Sequence, residues 1–136
     1  MIVYVDKFDS PIGLINLAAS DEGLVYCANP RETGIQMDSW IKKYLPNHTI
    51  EEGGNHITDM ARSQLQSYFA GKSEALDVPL NLIGTDFRKT VWEALQTIPY
   101  GVTRSYGEIA TQIGKPKASR AVGQANHHNP VSYFVP

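Results

Sequence analysis

The strongest constraint on the fold lies near the C-terminus, where a tight, glycine-containing link joins two short helical segments. The first segment begins at Ser105, which forms a Ser-x-x-Glu capping box with Glu108, and it ends at Gly114. The second segment follows a four-residue link and covers about Ala118 to His127. Two short helices joined in this way predict a helix-turn-helix.

The N-terminal part, residues 1–83, predicts strands followed by a helix. Strand-like runs and turn residues alternate over 1–27, a pattern typical of an antiparallel meander. An amphipathic helix is expected over 58–70, with Thr58 or Asp59 as its cap. The other elements expected in this part are a short helix over 38–45 and a loop over 47–55.

The C-terminal part, residues 84–136, begins after a connector over 76–84 that has no clear period. Its first helix is predicted from an apolar stripe that runs from Phe87 to Ile98. After the helix-turn-helix, Pro130 ends the helical pattern, and a short buried strand is expected over 131–135.

Charge is distributed unevenly between these two parts. The net charge of the chain is -2. Residues 1–83 hold six Lys and Arg against eleven Asp and Glu, a balance of -5, whereas residues 84–136 hold six against three, a balance of +3. A polyanionic partner, if there is one, is therefore expected at the C-terminal part.

Composition excludes several classes of protein. With one cysteine, Cys27, the chain has neither an internal disulfide nor a multi-cysteine metal site. No apolar run approaches the roughly 20 residues of a membrane span, and the N-terminus lacks the pattern of a signal peptide. We therefore expect an intracellular protein that does not associate with a membrane. Cys27 is expected to be an inert core residue.

The helix over 118–127 divides into two faces at about 100° per residue. The residues on the expected core face are Ala118, Ala121, Val122 and Ala125. The residues on the opposite face are Arg120, Gly123, Gln124 and His127, with Ser119 and Asn126 at its margins. That small polar face suits insertion into a DNA groove. The alternative is an ordinary solvated helix face.

Three consecutive stretches of the C-terminal part resemble the alkylguanine-DNA alkyltransferases. They read Gly84-Thr85-x-Phe87-x-x-x-Val91-Trp92-x-Ala94-Leu95, then Ile98-Pro99-Tyr100-Gly101-x-Thr103-x-Ser105-Tyr106-Gly107-Glu108-Ile109-Ala110, then Arg120-Ala121-Val122-Gly123-x-Ala125-Asn126-x-x-Asn129-Pro130. The N-terminal part resembles the family more loosely, through Ser10-Pro11-Ile12-Gly13, Gly23-Leu24 and Leu65-x-x-Tyr68-Phe69-x-Gly71. The resemblance implies an α/β (α+β) fold, in which a small antiparallel sheet with a helix precedes a winged-helix-like domain.

Site residues are carried over from the family position by position. Arg120 matches the arginine that fills the stack when an alkylated guanine flips out; alternatively, it contacts only phosphate. Tyr106 matches a tyrosine that crowds the target phosphate and donates a proton to the departing guanine; alternatively, it packs. Asn129 matches an asparagine that ties the helix to the cysteine strand; alternatively, it only ends the helix. The other expected DNA contacts are Ser119, Ala121, Gly123, Gln124 and His127, and Ser132 and Tyr133 are expected to line the base pocket.

The resemblance implies stoichiometric transfer of an alkyl group from guanine oxygen 6 in duplex DNA to a cysteine, by a monomer without a cofactor. Pro136 matches the proline of a Pro-Cys-His-Arg motif, so the cysteine is expected at residue 137, and the sequence to Pro136 is expected to be inactive in transfer. His127 and His128 depart from the more usual Arg and Gly. Three interpretations stay open: a truncated family member, a non-enzymatic sensor of alkylated DNA, and an unrelated winged-helix regulator. The expected location is cytoplasmic, or nuclear if the protein is eukaryotic.

Overall fold

The fold consists of two compact units, Met1–Leu82 and Ile83–Pro136. The computed structural model describes residues 1–28, 34–72, 76–99, 101–131 and 133–135. In the first unit the described elements are β1 (Ile2–Ser10), β2 (Gly13–Ala19), β3 (Leu24–Cys27), α1 (Gly34–Tyr44), β4 (Thr49–Glu52) and α2 (His56–Phe69). In the second unit they are α3 (Asp86–Gln96), α4 (Tyr106–Gln112) and α5 (Ser119–His127). The predicted α and β fold class is confirmed.

The sheet of the first unit has the strand order β3-β2-β1-β4. Strands β1 to β3 form the antiparallel meander that the sequence predicts. Its first turn is closed by Ser10, whose hydroxyl donates to the Gly13 carbonyl at 2.6 Å, while Gly13 itself has a φ of 123°. Glycine adopts this conformation without steric cost. Cys27, at the end of β3, is 2% exposed, as expected for a core residue.

The structure has a fourth strand, β4, within the segment 47–55 that was expected to be a loop. Strand β4 pairs parallel with β1, and the Thr49 amide donates to the Met1 carbonyl at 2.9 Å. All four of its side chains are exposed. An edge strand held by backbone pairing alone has no alternation of apolar and polar side chains, so its sequence resembles that of a polar loop.

The cap of α2 also differs from the prediction, which placed Thr58 or Asp59 there. Asn55 is the N-cap, and its side chain accepts from the amides of Ile57 and Thr58 at 3.0 and 3.1 Å. Thr58 reciprocates, because its hydroxyl accepts from the Asn55 amide at 2.8 Å. Thr58 is therefore the third helical residue of a capping box, and the helix begins two residues earlier than expected.

The second unit contains the predicted helix-turn-helix, formed by α4 and α5. Ser105 caps α4 and shares a capping box with Glu108, as the sequence predicts. Gly114 follows α4 with a φ of 79° and turns the chain toward α5. Trp92 of α3 is buried at 1% exposure, and its indole nitrogen donates to the Ala125 carbonyl of α5 at 2.9 Å. This bond ties α3 to the second helix of the motif.

The described residues of the segment over 131–135, which are 131 and 133–135, do not form the expected strand. The amides of Phe134 and Val135 both donate to the nearby Val131 carbonyl, at 2.9 and 3.0 Å. Val131 and Val135 are fully buried. A short buried apolar run is compatible with several conformations, so burial was predicted correctly and the strand was wrong.

Gly84 is expected to be required for packing of the second unit. A Cβ at this position would lie 2.7 Å from the Trp92 ring, which cannot retreat because it is fully enclosed. Gly84→Ala should lower the free energy of unfolding by about 1–3 kcal/mol, measured by urea denaturation. The control is Gly107→Ala in α4, where the nearest atom is 3.8 Å away and the change should stabilise by about 0.5–1 kcal/mol. Equal effects of the two variants would contradict the packing role.

Candidate nucleic-acid interface

Helix α5 presents the polar face that the sequence predicts, but fewer of its residues are buried than expected. Val122 and Ala125 are buried, at 0% and 1% exposure. The exposed residues of the helix are Ser119, Arg120, Ala121, Gln124 and His127, and Gly123 and Asn126 are half-buried. Ala121 was expected on the core face, but it is exposed, and Ala118 is half-buried. The core stripe is therefore narrower than predicted, and the exposed face wraps further round the helix.

Tyr106 lies against this helix at Gly123. Tyr106 is the first residue of α4 and is 47% exposed, with its ring so close to α5 that a Cβ at position 123 would lie 3.0 Å from its Cε2 atom. The sequence suggested that Gly123 lets a partner approach the helix backbone. In the structure the group that approaches is the Tyr106 ring, and glycine at position 123 lets the ring come this close without a shift.

Asn126 is a further member of this group that the sequence placed only at the margin of the polar face. Its side-chain amide nitrogen donates to the Tyr106 hydroxyl at 3.3 Å. Gly123 and Asn126 are three residues apart, so they lie on the same side of α5 and meet the same tyrosine. That spacing is the signal by which the sequence could have indicated Asn126.

Two cavities flank α5. The cavity on the Tyr106 side has a volume of about 330 Å³. Its lining is Leu95, Ile98, Pro99, Gly101, Val102, Thr103, Arg104, Tyr106, Ile109 and Asn126. The cavity toward the start of α3 has a volume of about 510 Å³. Its lining is Thr85, Phe87, Arg88, Lys117, Ala118, Arg120, Ala121, Gln124 and Ala125.

The larger cavity, here called the cationic groove, is lined by the three cations Arg88, Lys117 and Arg120 and by no acidic side chain among the described residues. The described part of the chain holds one ion pair, between Arg62 and Asp6 of the sheet unit, so Arg120 is not neutralised by a carboxylate there. Arg88 and Lys117 were not among the predicted site residues. They come from two other segments, and only the fold brings them beside Arg120.

Asn129 lies just beyond α5 and bonds the backbone on two sides. Its side-chain nitrogen donates to the Val135 carbonyl at 2.6 Å, and its side-chain oxygen accepts from the Val131 amide at 2.9 Å. The family pattern led us to expect a link between the helix and a strand, whereas the segment that Asn129 holds is a turn.

For the remaining predicted site residues the structure gives burial or a ring contact, and these do not assign a role. Tyr133 is half-buried. Ser132 lies outside the described residues. The rings of His127 and His128 meet edge to face, with centroids 5.2 Å apart.

In the described part of the chain no group of three or more His, Cys, Asp or Glu is placed to hold a metal ion, and no helix there is long and apolar enough to cross a membrane.

The capping box at the start of α4 makes stability depend on pH. The pKa of Glu108 lies below its ordinary value of 4.5, first because its carboxylate accepts from the Ser105 amide, at 3.0 Å, and second because of a hydrogen bond with the Ser105 side chain. A lowered folded-state pKa stabilises the fold above the unfolded value, and the stabilisation is lost as the pH falls through the lowered value.

Glu108→Gln should therefore unfold more easily than the parent protein near neutral pH, and the difference should shrink as the pH falls below about 5. The measurement is thermal unfolding across a series of buffers. Glu93→Gln, on the exposed face of α3, controls for the loss of one negative charge. If its pH dependence equals that of Glu108→Gln, the capping box is not the cause.

Fold and site together define a DNA-binding protein of the helix-turn-helix class. Residues 86–136 match the family model described as 6-O-methylguanine DNA methyltransferase, DNA binding domain, and residues 3–82 match that described as 6-O-methylguanine DNA methyltransferase, ribonuclease-like domain. The chain therefore belongs to the 6-O-methylguanine DNA methyltransferase family. This match excludes the unrelated winged-helix regulator.

Individual relatives and solved structures agree with this assignment. A methylated-DNA–protein-cysteine methyltransferase of Methanosarcina acetivorans is 46% identical over 98% of this chain and 80% of its own length. One of Mycolicibacterium paratuberculosis is 48% identical over 94% of this chain and 72% of its own length. The structure of Mycobacterium tuberculosis OGT in complex with DNA is similar with a TM-score of 0.76 and 43% identity, over 100% of this chain and 75% of that one.

Proposed function

We propose that this protein binds double-stranded DNA through α5, turns an O6-alkylated guanine out of the duplex, and serves direct repair in which the alkyl group passes to a protein cysteine. The observation that carries the proposal is the seating of the Tyr106 ring on Gly123, on the same helix that exposes Arg120. The arrangement puts the bulky hydroxyl-bearing ring of Tyr106, from α4, against the helix that carries Arg120, a planar cation with no carboxylate partner among the described residues. The names of the relatives, and the complex of one of them with DNA, support the same function.

Arg120 is proposed to occupy the space that the extruded guanine leaves. Base extrusion costs a few kcal/mol of lost stacking and pairing, so a side chain that replaces the base stabilises the open duplex. A guanidinium is flat enough to stack and offers donors to the orphaned partner base. Arg120 is exposed on α5, where it can enter a groove without moving the core.

Tyr106 is proposed to act on the extruded guanine itself. When a thiolate attacks the alkyl carbon, the bond from carbon to O6 breaks and its electron pair stays on the guanine. A hydroxyl donor stabilises that developing negative charge. The Tyr106 hydroxyl lies beside the cavity of about 330 Å³, whose walls are mostly apolar, and we propose that the flat base enters there.

The acceptor of the alkyl group is proposed to be the cysteine that follows proline in the family motif matched by Pro136. The one cysteine within the sequence, Cys27, is 2% exposed in β3 and packs in a core, which does not suit a nucleophile. The thiolate itself accepts the alkyl group, so no cofactor is required. We propose that one chain acts on one lesion, because a single helix-turn-helix supplies both Tyr106, on α4, and Arg120, on α5.

The function is tested by binding and by mass. Residues 1–136 are expected to bind duplex containing O6-methylguanine more tightly than the same duplex with guanine, and the protein continued through the Pro-Cys-His-Arg motif is expected to gain one methyl group. Lesion preference without a mass gain in the continued protein would identify a non-enzymatic sensor instead. Equal affinity for both duplexes would contradict the proposal.

The cationic groove is proposed to hold phosphates of the DNA backbone. Each Lys or Arg that neutralises one phosphate makes the slope of log binding constant against log salt more negative by about 0.9. Lys117→Ala should therefore reduce the magnitude of that slope by about 1 and weaken binding to modified and unmodified duplex by the same factor. Lys42→Ala, in α1 of the sheet unit, should leave the slope unchanged. A selective loss of binding to the lesion would assign Lys117 a different role.

A further inference from the structure

We propose that Asn126 is a positioning residue that fixes the direction of the Tyr106 hydroxyl, so that its proton points away from α5. This inference rests on the proposed function of Tyr106, and it concerns a residue to which neither the sequence nor the family names give a role. The contact that carries it is the bond from the Asn126 side-chain nitrogen to the Tyr106 oxygen, at 3.3 Å.

The tyrosine ring is held on α5 at two points. Gly123 receives one edge of the ring, because a Cβ there would lie 3.0 Å from Cε2 and 3.1 Å from Cδ2 of Tyr106. Asn126, one turn later on the same helix, reaches the hydroxyl at the end of the ring. The contact with Gly123 determines the position of the ring. The contact with Asn126 acts on the hydroxyl oxygen, which carries the proton used in the proposed reaction.

The chemistry of the two groups determines the direction of the hydroxyl. A tyrosine hydroxyl has one proton to donate and can also accept, whereas the nitrogen of an asparagine side chain only donates. With Asn126 donating, the Tyr106 oxygen is the acceptor, and its single proton stays available for another partner. Both residues line the cavity of about 330 Å³, so that partner is a group within the cavity.

For the proposed function this direction matters. An extruded guanine that loses its alkyl group gains electron density and needs a hydrogen-bond donor. A hydroxyl free to rotate would spend part of its time turned elsewhere, whereas a hydroxyl that already accepts from Asn126 presents its proton outward. Preorganised donors of this kind stabilise developing charge without reorientation during the reaction.

Aspartate at position 126 provides the sharpest test, because it has the size of asparagine but only accepts hydrogen bonds. Asn126→Asp would draw the Tyr106 proton toward α5 and reverse the bond. We expect its preference for duplex with O6-methylguanine over duplex with guanine to fall about two- to tenfold, the usual range for one hydrogen bond. Asn126→Leu, which neither donates nor accepts, should lose a similar amount. Taking the ratio of two affinities removes the general repulsion between a new carboxylate and DNA.

The control is the same pair of changes in a Tyr106→Phe background. Without the hydroxyl there is nothing to direct, so Asn126→Asp should cause no further loss of preference. Urea unfolding of each variant checks that the fold is kept. A direct readout needs no DNA: the side-chain amide proton of Asn126 should shift in the NMR spectrum when Tyr106 becomes phenylalanine.

The outcomes separate this inference from the proposed function. If the parent chain shows no lesion preference, the proposed function fails, and the NMR shift still decides whether the bond exists. If the parent chain shows the preference but Asn126→Asp keeps it in full, the inference is overturned and the function stands. A loss that persists undiminished in the Tyr106→Phe background, or an unchanged amide signal, also overturns it.

Discussion

Replacing Arg120 with alanine is expected to abolish most of the preference for alkylated duplex while weakening general DNA binding only slightly. Alanine cannot fill the space left by an extruded base, and stacking contacts of this kind are worth about 1–3 kcal/mol, which corresponds to roughly tenfold or more in affinity. General DNA binding is weakened only by the loss of one exposed positive charge. The measurement is fluorescence anisotropy with both duplexes, together with a fluorescent base analogue at the target position that reports extrusion.

Lys117→Ala is the matched control for Arg120→Ala. Both side chains line the cationic groove, and both changes remove one positive charge. Lys117→Ala should weaken binding to both duplexes alike and leave the extrusion signal of the bound complex unchanged. If Arg120→Ala behaves in the same way as Lys117→Ala, then Arg120 only contacts phosphate, and base extrusion depends on another residue.

Gly123→Ala is expected to separate stability from function. In the middle of a helix, alanine is favoured over glycine by roughly 0.5–1 kcal/mol. The new Cβ would meet the Tyr106 ring at 3.0 Å, and the ring can move aside because it is 47% exposed. Unfolding by urea should therefore show a change of no more than about 1 kcal/mol, while lesion preference falls nearly as far as in Tyr106→Ala.

A second substitution on the same helix makes that result interpretable. Gln124→Ala, at the next position, alters the exposed face without touching Tyr106, and it should leave most of the lesion preference in place. If Gly123→Ala keeps its full lesion preference, the close contact of the Tyr106 ring with position 123 is not needed for that preference. A large loss of stability would show instead that the ring cannot move, and that position 123 is required for folding.

Local chemistry allowed the helices of the second unit to be predicted closely. The capping box of Ser105 and Glu108 determines where α4 begins, because the two side chains bond amides within a single turn. The apolar stripe that includes Val91 and Leu95 determines which side of α3 is buried, because a helix repeats every 3.6 residues whatever surrounds it. These signals depend on neighbours in the chain, and a sequence displays them directly.

Elements that depend on distant partners were predicted poorly. Strand β4 exists because its backbone pairs with β1, some 47 residues earlier, as at Ile2 and Thr49, and its exposed side chains carry no sign of that pairing. The segment after Pro130 was expected to be a strand because it is apolar and buried. In its described residues the amides of Phe134 and Val135 instead donate to the nearby Val131 carbonyl, as in a turn. Burial can be inferred from composition, but backbone pairing with a segment far away in the chain cannot.

The amino-acid sequence by itself determined the exposed face of α5, the capped helix before it, and the family to which they belong. It identified Arg120 and Tyr106 as separate positions in a motif. Only the tertiary structure decided that the Tyr106 ring lies on Gly123, that Asn126 donates to its hydroxyl, and that Arg88 and Lys117 stand beside Arg120. The physical reason is that helical periodicity orders residues within one helix, whereas contacts between helices depend on how their buried faces pack.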